Sequence, residues 1–441
     1  MSPGRGGGGV VFDLVIKGVA VVGPEGVVEG DLAVRGTRIA RVAPVITEGA
    51  RREIDGGGGW LFPGAIDPHV HLRDPGFPHK EDLASGTRAA LLAGVTTVFD
   101  MPNTDPPTTT LARLQAKIAR AREVAACRVG FLVSATADNL EELRVIEARR
   151  LAAGVKFFFS GTTGVSSAGG AGLLERLLCS TRLPVAVHAE DEAIISERLA
   201  ATPPPTDPER FAAHHDAVRP IASARRAVAA CVGAARNAGR ALHVCHVSSL
   251  AELAEIERAG VPGVTAEITP HHAGLSFDGS CHVPRAWLKV NPPVRSEAER
   301  AGLMQALLDG RFDVAASDHA PHSAAEKSAS EYARVPSGVP GVETLPLFVL
   351  GLVQSGQLDP VRAAGLLAGG AARAYRLADR GQLREGALAD LALWPRPLPL
   401  APFDATRVRS RCGWSPFAGR SLPACGPSLV VLGGAGGRQR R

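Results

Sequence analysis

Eight apolar, strand-like runs alternate with Ala/Leu/Arg/Glu-rich stretches through the middle of this 441-residue chain, and β-rich segments close both ends. These two patterns predict an α/β fold, a (β/α)8 TIM barrel with a small β-sandwich domain formed from both termini. A third observation agrees with them. The histidines, lysine and carboxylates of most chemical interest fall at the C-terminal ends of those runs, the face on which such barrels carry their chemistry.

Taken in order, the Gly-rich start leads into residues 13–22 and 28–42, which read as short strands separated by Gly turns. The barrel runs end near His69-Val70-His71, Asp100-Met101-Pro102-Asn103, Val133-Ser134-Ala135, Lys156-Phe157-Phe158-Phe159, Val187-His188, Cys245-His246, residues 268–272, and Ser317-Asp318-His319. Helical patterns fall between them, at residues 110–126, 140–153, 217–238 and 296–308. Strand-like character returns at residues 387–394 and 428–432. The expected division is residues 1–62 for the N-terminal part of the β domain, 63–380 for the barrel, and 381–441 for the C-terminal part of the β domain and tail. Segments 203–208 and 332–341 are rich in Pro or Gly and read as loops.

Composition removes several classes of function. Charged residues are 21% and the net charge is only +5, with basic clustering confined to Arg438-Gln439-Arg440-Arg441, so no nucleic-acid footprint is expected. The seven cysteines are odd in number, scattered and without a Cys-x-x-Cys pair, which argues against a disulfide framework or a thiolate zinc site. No apolar run is long enough to span a bilayer and no secretory leader is legible, so a cytoplasmic protein acting on a small molecule is expected, without membrane association.

His69 and His71 are two residues apart on a predicted strand and therefore face one side. A His-x-His pair is more often hydrogen-bonded or exposed than metal-bound. Here, however, His188, His246 and Asp318 stand at three further strand ends, each a side chain able to ligate Zn²⁺. Lys156 precedes three phenylalanines, a setting hostile to a free ammonium. It either snorkels from a strand edge or has reacted with CO₂ to give a carbamate, whose two oxygens can bridge two metals.

This set, in this order, resembles the amidohydrolase superfamily over nearly the whole chain. The resemblance implies two Zn²⁺ per subunit, one held by His69, His71, carboxylated Lys156 and Asp318, the other by Lys156, His188 and His246. His69-Val-His-Leu-Arg-Asp-Pro-Gly76 further resembles the dihydroorotase signature. That likeness implies a substrate carboxylate gripped by Arg73, which strand alternation would place beside His71, and by Asn103 of Asp100-Met-Pro-Asn103. Asn291, in Lys289-Val-Asn-Pro-Pro-Val-Arg295, and His322, in Ser317-Asp-His-Ala-Pro-His322, are implied substrate contacts. Residues 336–344 resemble a loop over the substrate ring, and Asp318 is implied as both ligand and catalytic acid/base. Residues 154–164 resemble the carboxylated-lysine branch shared with hydantoinases. His272 is expected to make only a supporting hydrogen bond. The activity implied is that of dihydroorotase, interconverting N-carbamoyl-L-aspartate and dihydroorotate. The alternatives are a hydantoinase or allantoinase, or a non-catalytic subunit of a transcarbamoylase complex. A homo-oligomer, with possible aspartate transcarbamoylase association, is the expected assembly.

Overall fold

The computed structural model describes residues 11–161 and 169–433. The Arg438–Arg441 cluster, and part of the 154–164 segment, lie outside them.

The first five strands belong to the terminal domain: β1 (Leu14–Val22), β2 (Val27–Arg35), β3 (Arg38–Ala43), β4 (Glu53–Asp55) and β5 (Trp60–Pro63). Eight parallel strands follow, β6 (Ala65–Val70), β7 (Val95–Asp100), β8 (Arg128–Ser134), β9 (Gly154–Phe158), β10 (Val185–His188), β11 (His243–Val244), β12 (Thr265–Ile268) and β13 (Val314–Ala315). They pair strictly in chain order from β6 to β13. The ring is closed outside the regular ladder. Val70 bridges His319 in parallel, His71 N donates to His319 O at 2.7 Å, and buried Asp67 accepts from Ser317 N at 3.1 Å. Every residue of β6, β7, β9 and β10 is buried, as strands covered by helices outside and side chains inside must be.

Four more strands complete the chain: β14 (Leu391–Trp394), β15 (Leu400–Pro402), β16 (Ser421–Pro423) and β17 (Leu429–Val431). The terminal sheet runs β17-β14-β5-β1-β2-β3, with β4 also on β1. Its register slips between Ile16 and Val19, where Gly18 takes a left-handed φ of 61°, so the two halves of β1 pair with β4 and β5 respectively. The sheet curls so that β3 meets the segment leading into β14: Ile39 N donates to Ala387 O and Ala389 N to Thr37 O, each at 2.9 Å. Ile16, Leu32, Ile39, Leu61, Leu391 and Val431 fill the space enclosed, which is the sandwich-like core expected of the joined termini.

Three helices differ from the sequence expectation for local reasons. The 217–238 pattern runs across a break: its first two residues end the helix Phe211–Val218 and the rest form Ile221–Ala238, because Pro220 supplies no amide hydrogen and Arg219 is driven out of helical geometry before it. The 140–153 helix stops at Ala148, and Arg150 turns left-handed (φ 54°) to enter β9. Residues 268–272 do not stay extended: Thr269 caps a short helix, Pro270–Gly274, with Pro270 at its first position. Among the described residues, no helix is long and apolar enough to cross a membrane, and the seven cysteines are unpaired.

Candidate metal and substrate site

The strand C-termini converge on a small cleft lined by His69, His71, Lys156, His188, His246 and Asp318. Every residue expected from the sequence to serve the site lines it except His322. His69 ends β6 one residue before its last, and His71 lies just beyond. Their rings are 5.4 Å apart, and their Nε2 atoms lie 3.3 and 3.1 Å from the same Asp318 oxygen. The opposite ring nitrogens are held from behind. His69 Nδ1 meets Glu267 Oε1 at 2.9 Å, and His71 Nδ1 meets Asn103 Oδ1 at 2.6 Å. Oxygens that accept on the far side hold a hydrogen at Nδ1 of each ring and turn Nε2 toward the cavity, the nitrogen a metal would take in place of a proton. Glu267 also accepts from His243 Nε2 and from the His246 amide.

Across the cavity, His188 Nδ1 faces His246 Nε2 at 3.0 Å. Burial keeps both rings below their ordinary pKa, and both are neutral. His246 Nδ1 is buried and has no hydrogen-bond partner among the described residues. Two neutral imidazoles that point nitrogen at nitrogen in a buried cleft fit a cation between or beside them. Lys156 lies in the middle of β9 and is 1% exposed. Its Nζ is 3.4 Å from His69 Nε2 and donates to Cys245 Sγ at 3.0 Å. His69, His71 and Asp318 offer ligand atoms within 4.8 Å of one another, so the donor set fits a metal ion.

The charge state of this cluster follows from its contacts. Asp318 is held well below the usual carboxylate range: burial opposes ionisation, and His69 and His71 more than offset it. His69 is pushed up to about 10, because Asp318 and Glu267 outweigh burial and Lys156. Burial lowers His71 to about 4. Three residues take left-handed backbone here, Arg73 (φ 61°), His246 (φ 36°) and Asp318 (φ 43°), a conformation non-glycine residues keep only where surroundings enforce it.

Arg73 reaches the cavity by a route that strand alternation does not provide. β6 ends at Val70, so the i, i+2 rule has lapsed by Arg73; its left-handed turn aims the side chain instead. Asp100 anchors that turn, accepting from Leu72 N at 2.8 Å while paired with buried Lys117. The guanidinium is 2% exposed; its Nε donates to Pro321 O at 3.3 Å, and one terminal nitrogen lies 3.2 Å from His322 Nε2, whose own hydrogen faces Ser337 O. Among the described residues, no carboxylate stands within ion-pair distance of it. Burial lowers it to about 10, so it remains a cation at neutral pH.

His322 lies behind Arg73 rather than in the cavity. It is fully buried, accepts from Lys80 Nζ at 3.0 Å and sits 3.1 Å from Ser337 O. His272 has its nitrogens occupied by Thr269 Oγ1 (2.7 Å) and Pro292 O (3.1 Å), a supporting position. Sequence reasoning missed Glu267, Glu190 and Cys245. A glutamate inside an apolar strand was the available signal for the first. Glu190 stands 3.0 Å from His188 Nε2, and Arg219 holds it down to about 2 against burial.

Comparison with known proteins agrees with this geometry. Residues 60–409 match the family model described as the amidohydrolase family. A dihydroorotase of Halobacterium salinarum is 36% identical over 371 residues, covering 81% of this chain and 82% of its own. A dihydroorotase of Anaeromyxobacter sp. is 34% identical over 435 residues, covering 95% and 96%. Among solved structures, the L-hydantoinase (dihydropyrimidinase) from Arthrobacter aurescens superposes with a TM-score of 0.88 at 27% identity, covering 96% of this chain and 95% of that one. A barrel whose rim gathers four histidines, a lysine and an aspartate, matched by these relatives nearly end to end, belongs to the amidohydrolase family and is a hydrolase acting on cyclic amides.

Proposed function

We propose that the chain is a dihydroorotase, reversibly interconverting N-carbamoyl-L-aspartate and dihydroorotate, the ring-closing step of de novo pyrimidine synthesis. One observation carries this reading: Arg73 is a buried cation on the cavity wall, and among the described residues no carboxylate stands within ion-pair distance of it. A guanidinium left uncompensated in such a site is costly and is suited to grip a carboxylate with two parallel hydrogen bonds. Dihydroorotate supplies that group; hydantoins and dihydrouracil do not.

His69, His71, Lys156 and Asp318 would hold one metal and Lys156, His188 and His246 a second, with Lys156 as the bridging carbamate. When bound there, zinc would supply a Lewis acid for the amide carbonyl and would bring the pKa of water near neutrality. The protein's own groups do the rest. Asp318, held ionised, takes the proton of the attacking water as the new C–O bond forms. It returns that proton to the ring nitrogen as the C–N bond breaks. Arg73 and Asn103 fix the carboxylate end so that the scissile carbonyl meets the water in one orientation.

A hydantoinase-type activity is the second reading, favoured by the likeness to the Arthrobacter aurescens enzyme. Parallel assays on dihydroorotate and dihydrouracil, which differ by the carboxylate, separate the two. The wild type should prefer dihydroorotate. Arg73→Ala, with its metal content unchanged, should lose about 100-fold in kcat/KM on that substrate and so forfeit the preference. Equal turnover of both rings by wild type, or undiminished selectivity in the variant, would overturn the assignment.

A further inference from the structure

Asn291 lines the cavity, and its carboxamide is held from behind by His215 on the helix Phe211–Val218. His215 Nε2 lies 3.1 Å from Val290 O and 2.8 Å from Asn291 Oδ1, and its Nδ1 lies 2.6 Å from the Tyr332 hydroxyl. A backbone carbonyl can only accept, so Nε2 carries the ring hydrogen. Burial, with Arg219 and Lys289 nearby, holds the imidazole well below its ordinary value, so the ring has that one hydrogen and no other. Nδ1 must then accept from Tyr332, whose hydroxyl burial pushes up to about 12 and keeps protonated. The same logic orients the amide. The atom facing a protonated Nε2 must be an acceptor, so Oδ1 faces His215 and the NH₂ group is turned away from it.

We propose that Tyr332 and His215 are positioning residues, a hydrogen-bond relay that fixes the Asn291 amide with its N–H donors toward the cavity, to bind an acceptor oxygen on the ring of the cyclic-amide substrate. The inference rests on the cyclic-amide reading of the site and adds residues to it. A donor of fixed sense selects a ring oxygen and rejects a ring N–H at the same place.

The relay is braced at its far end. Lys289 Nζ donates to Tyr332 O (2.8 Å) and Val335 O (2.7 Å) and sits 4.0 Å from the centre of the Tyr332 ring. The Phe211 and His214 rings meet that ring edge-on, at 5.7 and 4.5 Å. Buried Lys327 then ties Lys289 O (2.9 Å) to Pro336 O (2.9 Å) and Gly338 O (3.1 Å). Asn291, Tyr332 and the cavity-lining Ser337 and Gly338 thus form one rigid arc.

The test is a double-mutant cycle on the metal-replete enzyme with dihydroorotate as substrate. Asn291→Ala should raise KM about 10-fold with kcat within about threefold. Tyr332→Phe and His215→Ala should each raise KM by about threefold or more in the wild-type background and by less than about twofold beside Asn291→Ala. His215→Gln, which restores a donor, should recover part of the loss. Equal KM increases in both backgrounds would overturn the relay, as would a fall in kcat with KM unmoved. Should His215→Ala fail to fold, Tyr332→Phe removes a single hydroxyl and completes the cycle. A wild type that acts on hydantoin or dihydrouracil but not dihydroorotate defeats the dihydroorotase reading alone. The cycle is then run on the ring it does hydrolyse, whose carbonyl oxygens would meet the same amide.

Discussion

Glu267 accepts hydrogen bonds from His69 Nδ1, His243 Nε2 and the His246 amide, each at 2.9 Å, so one buried carboxylate sets the tautomer of a candidate ligand and the strand end of another. Glu267→Gln keeps the shape but offers His69 an amide that can present hydrogen as readily as oxygen, and the Nε2 lone pair is no longer assured. The expected outcome is a metal affinity weaker by about 10- to 100-fold, read by competition of the apoprotein with a chelator for zinc. An unchanged affinity would mean that the outward hydrogen bond does not prepare His69 for metal. At this scale the sequence revealed residue types better than partners. His69, His71, His188, His246 and Asp318 were visible because each terminates an apolar run. Glu267 also interrupts one, but its partner His69 lies 198 positions earlier, and no local pattern encodes that meeting. His215 was hidden further still, inside an Ala-rich helix where a histidine has no distinctive spacing.

The short helix Ala324–Lys327 is built almost wholly from polar capping, and its stability should follow one titration. Ser323 and Glu326 close a capping box, Glu326 Oε2 accepting from Ser323 N at 2.9 Å, and the other Glu326 oxygen pairs with Lys80 at 3.0 Å. Burial raises the Glu326 pKa, but Lys80 and the Ser323 amide outweigh it and bring the carboxyl from 4.5 down to about 2. A depressed folded-state pKa contributes stability that is complete above 4.5 and is lost as pH falls toward 2. The melting temperature of wild type should therefore exceed that of Glu326→Gln near neutrality, and the gap should close across that acid window. A gap that stays constant with pH would show that the ion pair and cap contribute nothing titratable. Sequence patterns handled elements of this kind unevenly. They found the helix 296–308 to within a residue, because Ser296 caps it and its apolar face repeats. They overran at Ala148 and merged two helices across Pro220, since periodicity persisted where backbone geometry had already changed.

Barrel and terminal sheet share structure, and that sharing predicts how the whole chain unfolds. The alternation of runs and helices made the barrel legible, and matching β-rich ends made the joined terminal sheet legible. Closure of the ring was not, because it depends on single contacts such as His71 with His319 and Asp67 with Ser317, which join positions about as far apart as the barrel is long. The return of the C-terminal segment was equally hidden: Trp414 Nε1 donates to His322 O at 2.8 Å, and Ser410 donates to Glu81 at 2.5 Å, placing residues past β15 against the catalytic face. The two parts are joined at β8, where Arg128 meets Asp390 through two 3.2 Å contacts and also donates to Gly433 O. Asp390 is 4% exposed and also accepts from Gly433 N at 2.9 Å. Asp390→Ala leaves a half-buried guanidinium and a buried amide unanswered, and should cost about 2–4 kcal/mol in urea unfolding. Replacing both partners with apolar residues, Arg128→Met with Asp390→Leu, should return most of that loss, because the charge that needed an answer is gone. Both variants should still unfold in one transition, since Ala392 and Trp394 of β14 belong to the same apolar cluster as Val98 and Phe131 of the barrel. A separate early transition in Asp390→Ala would show that the ion pair alone had coupled the two parts.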